Sequence, residues 1–402
     1  MIAYNQERSR LLAGCAVLIF SYFLIYSLFL GITHPVPALG DSWDYHIPIS
    51  NLILRGDIFS PHNVKLSQWY YPGSAEAINS VLAFLYIPLT LSNIFAVLFL
   101  FFVLWKTAFK FGLDYYEGLF FSLTICTLNV VVRWYNAVSI DVWLVSFFLL
   151  SINLLESPKR SIKYFLILGF MMGMILGSKL TGVYYVVLLL FFYGKALLSY
   201  LNMKRALAFI IPFSVFGLFW YLRNLILFSN PFYPLYFFGL PFKIRFDMSV
   251  MRTALEFPKD MADAFFSEYK IWILSVPVSI AAPFLSFRDR LSLSSMQRRL
   301  LYISLVSLII FLLSPTDVYK WIMVSSFRYS YPSLFPMILF LFILAKKYDR
   351  FELLSYIALG SMIMVTSFLY LPKLIIFYIP FAVVMHYFIA KYQKFFEKYI
   401  LA

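Results

Sequence analysis

The chain has 402 residues, of which 62% are hydrophobic, 21% aromatic and only 13% charged, and its mean hydropathy is +0.82. Soluble domains carry about 25% charged residues, so this composition excludes a soluble globular protein and points to an all-α polytopic membrane protein. The formal net charge of +14 would suggest nucleic acid in a soluble chain, but short basic clusters between apolar runs account for it through the positive-inside bias, and no nucleic-acid partner is expected.

Apolar runs of spanning length fall at 11–31, 90–109, 115–132, 138–155, 163–178, 180–194, 206–228, 271–287, 299–313, 330–345, 352–370 and 372–390. About twelve transmembrane helices are therefore expected. The first run lacks a small-residue cleavage site and reads as a retained helix rather than a cleaved leader. Cys15 and Cys126 both lie inside apolar runs, which argues against a disulfide framework, and no zinc-binding spacing is present. No internal repeat is visible.

Two connections are much longer than the rest, 32–89 and about 229–270. Within the first, Ala75 to Pro88 is apolar but too short to span and suits a helix lying in the interface. Met248 to Tyr269 mixes apolar and charged residues and reads as a second interfacial helix. Placing the N-terminus in the cytoplasm puts most of the 33 lysines and arginines in inner segments, including Arg8, Arg10, Lys106, Lys110, Arg298, Arg299, Lys346 and Lys347. Both termini are then cytoplasmic, and both long loops extracytoplasmic. A first module is expected over 1–235, including the outer loop 32–89, and a second over 236–402 with an outer loop at 236–270.

Titratable residues gather where the chain first leaves the bilayer, in Gly40-Asp41-Ser42-Trp43-Asp44-Tyr45-His46-Ile47-Pro48. Asp41 and Asp44 stand three apart and would share one face of an α-helix. A carboxylate there can act as general base towards an acceptor hydroxyl or amine, with His46 as a partner. The competing reading makes Asp41 a helix cap and Asp44 a solvated loop charge. Asp141 stands at the entrance of the fourth span, as a site acid or as an N-cap. Lys179 lies between two apolar runs, where a lone lysine either snorkels or meets an anion. Arg133, Arg223, Lys320 and Arg328 also sit at outer helix ends, against the positive-inside gradient. Together they suggest an anionic ligand such as a lipid-borne phosphate. Aromatic and proline punctuation marks the same face at Trp69-Tyr70-Tyr71-Pro72-Gly73, Asn230-Pro231-Phe232-Tyr233-Pro234 and Arg328-Tyr329-Ser330-Tyr331-Pro332. No phosphate-binding loop or dinucleotide fingerprint appears, so a sugar donor would have to arrive through the membrane.

Taken together, these features resemble the GT-C superfamily of polytopic glycosyltransferases, best over residues 10–235. The order of one span, an acidic outer loop, a Tyr-Pro segment, an interfacial helix and a second outer acid is similar to the protein mannosyltransferase and aminoarabinose transferase branch. The resemblance implies transfer of a sugar from a polyprenyl-phosphate or diphosphate donor to a lipid, glycan or protein acceptor at the extracytoplasmic face of the cell membrane. It implies that Asp41 is the first-loop acid, Asp141 the second-loop acid and Lys179 the donor-phosphate lysine, and that Tyr45 and His46 match a Tyr-His pair. Asn230, Tyr233, Arg328 and Tyr329 match later outer-face motifs. Ser42 departs from the Asp-Glu pair of the mannosyltransferases. No cofactor is assigned; a divalent ion, if one is used, would fall to Asp41 and Asp141. The alternatives are an O-antigen-type polymerase or ligase and a lipid-linked sugar transporter.

Overall fold

A computed structural model describes residues 2–34, 40–59, 67–158, 160–234, 249–287, 291–314, 324–366 and 375–397. These residues are overwhelmingly helical, and no β-strand occurs among them. Six helical stretches among them are long and apolar enough to cross a membrane: Ser9–Thr33, Leu89–Lys110, Met203–Phe228, Pro258–Phe287, Ser295–Leu312 and Val324–Lys347. Asp141–Leu155, Ile162–Ser178 and Gly182–Leu198 are apolar but shorter. Helix is the form a single apolar segment can take in lipid, because it satisfies its own backbone polar groups. Polar caps mark where several helices begin. Asp114 and Glu117 form a reciprocal capping box before Tyr115–Cys126, as do Ser294 and Gln297 before Ser295–Leu312.

The chain forms two compact units that interleave in sequence. One comprises Met1–Leu30, Val97–Tyr135 and Met248–Ala402. In it Tyr115–Cys126 is buried throughout, and Tyr331–Lys347 is buried from Tyr331 through Phe340 and packed against Ser275–Phe287 and Ser295–Leu312. Trp272 stacks on Phe342 at 5.5 Å. The stretch expected as a second interfacial helix is two helices, Val250–Glu256 and Pro258–Tyr269, interrupted where Pro258 restarts the chain. Lys270 then takes a positive φ of 53° as it opens the 3₁₀ turn Lys270–Leu274, which leads into Ser275–Phe287.

The other unit comprises Gly31–Ala96 and Asn136–Asp247. Ile162–Ser178 packs against Asp141–Leu155, Gly182–Leu198 and Met203–Phe213. Gly169, Gly173 and Gly177 recur every four residues and let backbone meet backbone. A Cβ on Gly173 would lie 3.0 Å from the Pro212 carbonyl oxygen, and one on Gly169 or Gly177 would overlap the carbonyls of Phe209 or Phe216. In lipid such close approach replaces the absent hydrophobic drive between helices. Pro212 sits inside the facing helix, and a π-helical turn follows at Ser214–Leu218; proline removes a backbone donor and loosens the local ladder. The first long connection holds two helices, Ile47–Arg55 and Ser74–Phe84, packed on each other, with Ser80 Oγ donating to the Ser50 carbonyl at 2.7 Å.

Candidate functional site

The acidic segment forms a π-helical turn, Ser42–His46, that runs into Ile47–Arg55. A π turn is wider than an α turn and pairs residues five apart, where the spacing had suggested an α turn. The Asp44 carboxylate folds back towards Gly40 and is solvent-exposed, as is Trp43. Asp41 and Tyr45 are half-buried, while Ser42 and His46 are buried. Asp41 precedes the turn but makes no side-chain cap bond. Trp69 closes the far end of the loop by donating its indole N–H to the Asp44 carbonyl at 2.8 Å.

Ser42 links this turn to the second acid. Its Oγ accepts from the Val138 N–H at 3.0 Å and lies 3.3 Å from the Val138 carbonyl as donor. Val138 stands three residues before Asp141, the first residue of Asp141–Leu155. Asp141 is therefore inside the helix rather than at its cap. The Lys179 ammonium donates to Asp141 Oδ1 at 2.8 Å, with the two side chains 17% and 6% exposed. Lys179 ends Ile162–Ser178 in an extended conformation, at the top of the glycine stripe. Its anionic partner in the resting chain is thus a carboxylate of the protein. Three of the expected site segments, carrying Asp41, Asp141 and Lys179, meet in one unit.

Arg223 is 3% exposed. Its guanidinium donates to the Tyr70 carbonyl at 2.7 Å and to Asn224 Oδ1 at 3.0 Å, and lies 4.9 Å from the Trp220 ring. Asn224 in turn donates to the carbonyls of Tyr70 and Tyr233. Both side chains tie the loop before Pro72 to the segment after Phe228. Tyr233 stacks on Phe228 at 3.9 Å, and buried Asn230 accepts from the Phe232 N–H in an Asx-type turn. Burial, together with the nearby Tyr233 and against the opposing pull of Arg223, pushes the Tyr70 phenol above its ordinary range. Burial does the same to Tyr233. Both are neutral donors near neutral pH.

Measured against family models, curated proteins and solved structures, the chain matches none of them. The assignment of chemistry therefore rests on the residues themselves.

In the other unit, Arg133 pairs with the buried Glu268. Arg328 is buried, with its guanidinium 4.4 Å from the Trp134 ring and 5.5 Å from that of the half-buried Tyr329, a cation–π arrangement. Lys320 lies outside the described residues. A divalent ion on Asp41 and Asp141 does not fit this donor set. Asp141 is engaged by an ammonium, and among the described residues no three His, Cys, Asp or Glu side chains come together to hold an ion. Sequence reasoning missed Glu76, whose carboxylate meets His46 Nδ1 at 2.9 Å. A signal existed, since Glu76 is the lone acid in the apolar stretch from Ala75 to Pro88, and such a group needs a partner. It also missed Glu268 and Asn224, whose partners lie far along the chain.

Proposed function

We propose that this protein is a GT-C-like membrane glycosyltransferase of about twelve spans. Both termini would be cytoplasmic, with the two long loops at the extracytoplasmic face. Its donor is a sugar on a polyprenyl phosphate or diphosphate; its acceptor is a lipid, glycan or protein of the cell envelope. The observation that carries this reading is the convergence of the Asp41, Asp141 and Lys179 segments through the Ser42–Val138 bonds and the Lys179–Asp141 ion pair.

Half-buried Asp41 takes the proton from the acceptor hydroxyl or amine in this scheme, as that atom attacks the anomeric carbon. The bond from that carbon to the phosphate oxygen breaks, and the negative charge passes to the polyprenyl phosphate. Lys179 stabilises that charge by exchanging part of its contact with Asp141 for the phosphate, a favourable term where water is scarce. Asp141 holds the ammonium in place before the donor arrives. Arg223 and Asn224, turned to backbone carbonyls, shape the loop that Trp69 ties to the acidic turn.

The test uses purified protein in nanodiscs with radiolabelled polyprenyl-phosphate and polyprenyl-diphosphate sugars and cell-envelope extract. Label should pass into extract with the wild type and fall at least about 100-fold with Asp41→Asn at unchanged thermal stability. Undiminished transfer by Asp41→Asn removes Asp41 as the base, and no transfer from any donor overturns the transferase.

A further inference from the structure

The transfer scheme leaves one buried imidazole–carboxylate contact unused. His46 and Glu76 are essentially inaccessible, at 0% and 1% exposure, and His46 Nδ1 lies 2.9 Å from Glu76 Oε1. Neither His46 Nε2 nor Glu76 Oε2 meets a hydrogen-bond partner among the described residues. Burying a carboxylate in an apolar helix pair is costly unless it is compensated. Apolar side chains would join Ile47–Arg55 to Ser74–Phe84 without that cost.

The surroundings indicate what the carboxylate does. His46 is the last residue of the π turn that begins just after Asp41. Its ring lies 4.1 Å from that of Tyr45, which meets Tyr71 edge-on at 6.1 Å. Glu76 also lies within electrostatic reach of the Arg223 guanidinium, which grips the Tyr70 carbonyl. Glu76 thus holds the imidazole near the start of the first loop, while Arg223 clamps the same loop at Tyr70. Glu76 belongs to the Ser74–Phe84 helix, and that helix is itself anchored. The Ser74 hydroxyl accepts from Trp220 Nε1 at 2.7 Å, and Ser80 donates to the Ser50 carbonyl.

We infer that Glu76 is a positioning residue for the glycosyl transfer proposed above: through His46 Nδ1 it fixes the π turn, and so sets the direction of Asp41 and Tyr45 towards the acceptor. This rests on that transferase reading. Glu76 touches no substrate. It acts by holding the imidazole, and the accepting oxygen matters more than the rest of the side chain.

The experiment compares the full chain carrying Glu76→Ala or Glu76→Gln with the wild type in nanodiscs, using the same donors and extract. Glu76→Ala should lower kcat about 100-fold and leave the donor KM within about twofold, the signature of a misplaced reacting group. Glu76→Gln keeps an oxygen for the Nδ1–H and should restore kcat to within about fivefold of wild type. A Glu76→Ala protein that turns over normally once corrected for its folded fraction overturns the inference, as does Gln acting no better than Ala. A second readout does not depend on transfer. Ile49, 1% exposed on the helix that follows the turn, is replaced by cysteine and labelled with a membrane-impermeant maleimide. Adding Glu76→Ala should speed labelling about tenfold or more, and Glu76→Gln should not. If the wild type moves no sugar, the transferase reading fails and labelling alone decides the role of Glu76; an unchanged rate in Glu76→Ala then overturns it.

Discussion

Replacing Lys179 by methionine removes the ammonium that pairs with Asp141, whose side chain is 6% exposed. Breaking a buried ion pair on one side costs about 3–5 kcal/mol, because the remaining charge is stranded. The two sides are unequal. Asp141 is enclosed, whereas Lys179 keeps 17% exposure and a long stem that can carry its head towards water. Lys179→Met should therefore cost about 4 kcal/mol, near the middle of that range. Asp141→Asn, which leaves an oxygen for the ammonium and a cation able to reach solvent, should cost about 2 kcal/mol. In the double variant no charge is stranded, so its loss should fall short of the sum by about 2 kcal/mol. The assay is reversible unfolding in mixed micelles with increasing dodecyl sulfate, followed by tryptophan fluorescence for all four proteins. Additivity within about 0.5 kcal/mol would show that the 2.8 Å contact carries no coupling, and the account of Lys179 as a preset phosphate ligand would fall with it.

Other consequences follow from the same geometry. Ser42→Ala strands the Val138 N–H and should cost about 1–3 kcal/mol while lowering transfer; unchanged stability and activity would mean that the two acidic segments meet without this staple. Gly177→Val would press its side chain into the Phe216 carbonyl and Ser74, and overpacking should cost about 1–3 kcal/mol or more, measured as a fall in thermal midpoint; Gly194→Val, where nothing lies near, is the control and should stay within about 0.5 kcal/mol. Tyr70 is raised above its ordinary value of 10.0 by burial. The neutral phenol therefore favours the fold: that stability is complete below the unfolded value and is lost as pH rises through the higher folded one. In that alkaline window wild type should lose stability that Tyr70→Phe retains, and parallel curves would refute the assignment.

The helices were readable in advance because hydropathy and helix length depend only on neighbouring residues. The runs at 90–109, 163–178 and 330–345 are helical in the structure over Ser92–Lys110, Ile162–Ser178 and Tyr331–Lys347. The acidic segment at Asp41 was legible for a related reason, since a rare charge in an apolar chain stands out. Its internal geometry was not. The spacing suggested an α turn there, and the structure has a π turn.

What the sequence by itself determined is the helical, lipid-compatible character of the chain and the short roster of charged residues able to carry chemistry. Only the tertiary structure decided their partners. Ser42 meets Val138 across 96 positions, Lys179 meets Asp141 across 38, and His46 meets Glu76 across 30. Arg223 turned inward to carbonyls, and Arg133 paired with a glutamate in a distant helix. Hydropathy reports the medium a segment prefers and is blind to which helix faces which. A buried charge takes whichever counter-charge packing brings within about 3–4 Å, because at that distance the attraction begins to offset the loss of water.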